Sequence, residues 1–124
     1  MIQRERIVTA AAVGADGSAT STGATICPLG GVIYSIHLAY SGSPPAGTVT
    51  TIQGVTLPYT PILAITGNGD QWVHVLHQAQ SSADGSDITN QGQLVAIRDS
   101  IQVTISSCNA GDSVSVCLIY EVVR

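Results

Sequence analysis

A chain of 124 residues with four Arg, no Lys and eight acids carries a net charge of −4 and lacks a basic surface broad enough to follow a phosphate backbone, which excludes nucleic acid as a partner. Thirteen Gly, five Pro, 10% charged residues and no Phe suit short strands joined by tight turns better than helices, so an all-β fold is expected: a single-domain β-sandwich or jelly roll of about eight strands over residues 1–124. No window is apolar for long enough to cross a bilayer, and no membrane partner is expected.

The opening MIQRERIVTAAAVGA sets two Arg before an apolar run, yet the run is short and contains Thr9, so it reads as a first strand near Glu5–Val13 rather than a secretory signal, with residues 1–7 as an N-terminal arm. Further strands are expected near Ala19–Cys27, Val32–Tyr40, Thr48–Val55, Pro61–Thr66, Gln71–His77 and Leu94–Ile97. GADGS, PLGG, SGSPPAG and GNGD separate them, because Gly supplies positive φ and Pro removes a ladder donor. The polar stretch Gln78–Gln93 reads as a long loop, either facing a partner or simply lying on the surface.

The last two strands, Ser100–Ser106 and Ser113–Val123, read as a ribbon in which Ile105 faces Val114, Val103 faces Val116 and Ile101 faces Leu118. That register keeps Cys108 and Cys117 apart, and three Cys at 27, 108 and 117 are expected to be free, mostly buried thiols. Alternation in the final strand places Val114, Val116, Leu118, Tyr120 and Val122 on one face. On the other, Ser113 and Ser115 give way to Cys117, Ile119 and Val123. A strand apolar on both faces needs cover on both, and a two-layer sandwich supplies one inner face, so a second copy of the chain is the expected cover. The strand VIYSIHLAY shows the same feature, with Ile33 and Ala39 opposite its main stripe of Tyr34, Ile36, Leu38 and Tyr40.

Groups able to do chemistry are sparse. His74 and His77 fall on opposite faces of a strand and cannot share an ion, and His37 reads as a partly exposed sheet residue. Asp16, Asp70, Asp84, Asp87 and Asp112 stand in turns, where a carboxylate accepts from nearby backbone donors. Trp72 is expected in the core; exposed, it would instead suit a carbohydrate-binding or adhesion module. A small jelly-roll enzyme would need His37, His74 and an Asp in one pocket. No catalytic residue, metal site or cofactor is expected.

Taken together, the charged opening MIQRERIV, the Gly/Ser/Thr-rich strand body and the ending RDSIQVTISSCNAGDSVSVCLIYE resemble the small cement, or decoration, proteins of tailed-bacteriophage capsids. The resemblance implies a structural protein, made in the host cytoplasm and placed on the capsid exterior of the virion, that binds the major capsid protein as a homo-oligomer, a trimer by family habit. The residues expected at its interfaces are Ile2, Arg4, Glu5 and Arg6 toward the shell, and Ile33, Ala39, Ile119 and Val123 between subunits.

Overall fold

The computed structural model describes residues 2–56, 62–74, 76–80 and 87–122, the stretches 76–80 and 87–96 by backbone alone. Ten strands occur among these residues: β1 (Ile2–Val8), β2 (Ala19–Ala24), β3 (Leu29–Ser41), β4 (Val49–Gly54), β5 (Leu63–Thr66), β6 (Gln71–Val73), β7 (Leu76–Gln80), β8 (Asp87–Asp99), β9 (Ile101–Cys108) and β10 (Ser113–Val122). They form two antiparallel sheets packed as a β-sandwich. The larger has the order β1-β10-β3-β8-β7, with β6 also on β3; the smaller has the order β2-β9-β4-β5.

The inward side chains are those that alternation selects. Val114, Val116 and Leu118 of β10, with Ile36 and Leu38 of β3, lie opposite Ile101, Val103 and Ile105 of β9 and Ile52 of β4, and all are fully buried. Each such side chain contributes roughly 1.5–3 kcal/mol by leaving water.

The final two strands depart from the expected ribbon. β9 pairs with β2 and β4 in the smaller sheet, whereas β10 pairs with β1 and β3 in the larger, so Asn109–Asp112 is a corner between layers and not a hairpin turn. The alternation was sound, but the two stripes meet face to face across the core instead of edge to edge. Cys108 and Cys117 are still apart and free: Cys108 is buried, Cys117 is half-buried on the outer face, and Cys27 is exposed, contrary to the expectation of mostly buried thiols.

The stretch expected as a loop is largely ladder. β7 pairs with the first half of β8 in the register Leu76↔Leu94, His77↔Gln93 and Gln78↔Gly92, while the second half of β8 pairs with β3. A ladder is made by backbone groups, so a polar sequence can form one without an apolar stripe to announce it. β6 and β8 consequently share one edge of β3 in tandem, β8 along Leu29–Ile33 and β6 along Ile36–Leu38. Asp84 lies outside the described residues.

Two glycines hold close approaches. Gly31 has φ +153°, and a Cβ there would stand 1.9 Å from the carbonyl oxygen of Glu121 on β10; Gly42 has φ +91°, and its Cβ would meet Oδ1 of Asp112 at 2.5 Å. Asp112 is buried and ties the corner together. Its Oδ1 accepts from the Ser43 N–H (2.9 Å) and its Oδ2 from the Asn109 N–H (2.8 Å), while its carbonyl accepts from the Ala12 N–H (2.8 Å). Asp70 accepts from the Tyr40 N–H (2.8 Å) and Asp16 from the Ala110 N–H (3.2 Å), so these turn carboxylates bond to backbone donors as their setting suggests.

Candidate functional site

The outer face of the larger sheet carries Ile2, Arg4, Arg6, Ala39 and Ile119 of the expected interface residues. Residues Ile2–Val8 form no free arm: β1 pairs with β10 along its whole length, from Ile2↔Glu121 to Val8↔Ser115, because its alternation gives Ile7 to the core. Its outward residues Ile2, Arg4, Arg6 and Val8 are exposed, and Glu5 is half-buried on the inner side. Among the described residues β1 has no strand on its other side, and an Arg-Glu-Arg run on such an edge discourages sheet-to-sheet aggregation.

Register aligns the outer face in rows. One row runs Arg6, Cys117, His37 and Trp72 across β1, β10, β3 and β6; the next on one side holds Val8, Ser115 and Ala39, and on the other Arg4, Ile119 and Ser35. Directly opposed side chains in such a ladder start about 4.5–5.5 Å apart, so the stems of Arg4 and Arg6 stand beside Ile119 and Cys117. Arg6 is fixed there by donating from Nε to Oγ of Ser115 (3.0 Å). Cys117 and Ile119 are accordingly half-buried within a single chain, and the apolar half of the last strand has part of its cover before any second copy arrives.

Ile33 is corrected outright. It lies in the core with no exposed surface, because a bulge between the pairs Ile119↔Ser35 and Tyr120↔Ile33 leaves Tyr34 as an extra residue and moves Ile33 to the same side as Ile36. Strict alternation across VIYSIHLAY hides that slip. Ala39 keeps its outward place and is half-buried; Val123 lies outside the described residues. The bulged Tyr34 donates its phenol to the Glu121 carboxylate, and this bond holds its pKa above the ordinary tyrosine value.

Trp72 is the residue that sequence reasoning misplaced. It is 57% exposed, since in QWV the first and third positions face the core, Gln71 opposite Leu38 and Val73 opposite Ile36, leaving Trp72 outward opposite His37. The two rings stack with centroids 4.6 Å apart and planes tilted by 43°. His37 is half-buried and His74 exposed, while the side chain of His77 lies outside the described residues. No family model, curated protein or solved structure matches the chain.

The face therefore offers area, two guanidinium groups on its β1 margin and one aromatic platform on its β6 margin. Among the described residues, no three of His, Cys, Asp and Glu come together in a group able to hold a metal ion. Elsewhere the titrating groups that respond to the fold are internal. Burial pushes the Cys108 thiol up, with Asp112 adding to the effect, and Cys108 donates from Sγ to the Ala19 carbonyl (3.2 Å). Burial also raises Tyr40, partly offset by its hydrogen bond with Oγ1 of Thr50 (2.6 Å) and reinforced by Asp70.

Proposed function

We propose that this chain is a structural capsid protein of the cement, or decoration, kind, which binds the outer surface of a phage shell as a homo-oligomer, a trimer, and stabilises the shell without catalysis. The observation that supports this reading best is the β1 margin, where Ile2 (59% exposed) and Val8 (54% exposed) flank Arg4 and Arg6 and continue into half-buried Cys117 and Ile119. Apolar surface interleaved with guanidinium groups suits a protein partner, since Arg forks carboxylates while its stem packs on apolar neighbours. A stable contact needs about 1,200 Å² or more of buried surface, more than this margin supplies alone, and a multimer seated on a repeating shell adds several modest contacts into strong retention.

The test is sedimentation of the purified protein, followed by co-sedimentation with assembled shells and with isolated capsid subunits. The reading expects a trimer retained on shells, with Ile119→Asp weakening self-association and Arg4→Ala with Arg6→Ala weakening retention in a salt-dependent way. A monomer at micromolar concentration that shells do not retain overturns it.

A further inference from the structure

Trp72 is the single Trp of the chain, and it stands on β6, a three-residue strand paired with β3. Its indole is braced against one ring, that of His37, and His74 two residues on is also exposed. His37 thus faces the indole across the ladder, and His74 follows it two residues along the chain. Among the described residues, the other positions near it are buried Ser35 and half-buried Ala39 along β3, Cys117 opposite His37 on β10, and Asp70 two residues before Trp72, whose Oδ1 accepts from the Tyr40 N–H (2.8 Å).

An indole in water presents a flat apolar face that favours a ligand with a flat apolar face of its own and a polar rim. Neutral imidazoles each offer one donor and one acceptor, which is what sugar hydroxyls require. None of these described positions carries an Arg or Lys for an anionic ligand to pair with, Asp70 repels one, and the net charge of −4 disfavours a stacked base that brings phosphates. A buried protein hot spot would instead ring the Trp with apolar neighbours. We propose that Trp72, with His37 and His74, forms a surface site for the apolar C–H face of a neutral pyranose, the indole stacking on the ring and the imidazoles bonding its hydroxyls.

The site lies three strands from the exposed side chains of β1, roughly 14 Å at ordinary strand spacing, so it is additional to shell binding and does not depend on it. Isothermal titration with three uncharged probes, maltotriose, cellotriose and a galactose-terminated trisaccharide, tests it. At least one is expected to bind saturably with Kd near 1 mM, about the strength that one stacked ring and a few hydrogen bonds provide. Trp72→Ala should weaken that binding at least tenfold and His37→Ala about threefold, and a sialylated version of the same trisaccharide should bind no tighter. Protection of Trp72 from N-bromosuccinimide by the bound sugar gives the same reading in the unaltered protein, should Trp72→Ala fold poorly. No saturable binding by any of the three up to about 10 mM, or equal binding by Trp72→Ala, overturns the site. A monomer that shells do not retain refutes the shell reading and leaves this one standing.

Discussion

Removing the buried Asp112 carboxylate should cost the fold more than any other single polar change at the corner between the sheets. The side chain is 2% exposed and accepts from two backbone donors on separate loops, Ser43 N–H at 2.9 Å and Asn109 N–H at 2.8 Å. A hydrogen bond to a charged group contributes about 1.5–3 kcal/mol, and both donors are only partly buried, so water recovers some of the loss; about 3 kcal/mol is expected for Asp112→Ala. Against a total stability of roughly 5–15 kcal/mol that is a large fraction, and it corresponds to a fall in Tm of about 10–15 °C for a domain of this size. Asp112→Asn should recover less than half of it, because its NH₂ group would point at one of the two N–H donors. Urea unfolding followed by circular dichroism gives both values, with the slope m unchanged if the effect lies in the folded state. A loss below about 0.5 kcal/mol for Ala, or Asn behaving as wild type, would refute the view that the carboxylate clamps the two loops.

Thr48 is fully buried and, among the described residues, its Oγ1 has no partner, so Thr48→Val, which keeps the shape, should stabilise by about 1 kcal/mol in the same urea assay; destabilisation would mean that the hydroxyl has an acceptor. Thiol labelling at neutral pH should modify exposed Cys27 first and leave Cys108 untouched until the protein unfolds, and fast labelling of Cys108 would contradict its burial. Tyr40 and Cys108 titrate above their ordinary values of 10.0 and 9.0, so the unfolded chain releases these protons first. Their contribution is therefore complete below pH 9 and falls as pH rises through 9 and then 10 toward the raised folded values, which melts at stepped alkaline pH will show; Tyr40→Phe should flatten the upper part of that fall. Gly31→Ala should be strongly destabilising, since its Cβ would overlap the Glu121 carbonyl, and a normal melt would show that β3 and β10 can separate there at little cost.

How far the sequence leads depends on what each residue's pattern encodes. Alternation in Ile101–Ile105 and Val114–Leu118 marks which side chains are buried, and they are, but it does not encode which strand lies alongside. A short connection between two strands favours a hairpin, and here Asp112 holds Asn109 and Ser43 so that the chain crosses to the other layer instead. Ile33 was hidden by a one-residue bulge at Tyr34, which has no signature among β-branched neighbours. The ladder between β7 and β8 was illegible because polar side chains say little about backbone pairing. Trp72 was misplaced by the general tendency of large aromatics to be buried, although Val73, on the other parity, already claimed the core side. On β1 the outward placing of Ile2, Arg4 and Arg6 follows from alternation against core-facing Ile7, whereas Glu5 falls on the inner parity and the segment read as an arm is a paired strand.

The ladder between β1 and β10 joins residues 109 apart in sequence, as the bond between Arg6 and Ser115 records. Closing a loop of that length costs about 4 kcal/mol of chain entropy before any contact compensates, so β1 is expected to dock late in folding. Until it does, β10 is an open edge, with Cys117 and Ile119 lacking the arginine stems that flank them in the finished fold. The natural occupant of that edge is β1 of the same chain, but β1 of a neighbouring chain has the same sequence and fits equally well. During synthesis at high local concentration, the competition between the two is one of rate, and the time β10 spends uncovered decides between separate folding and strand exchange.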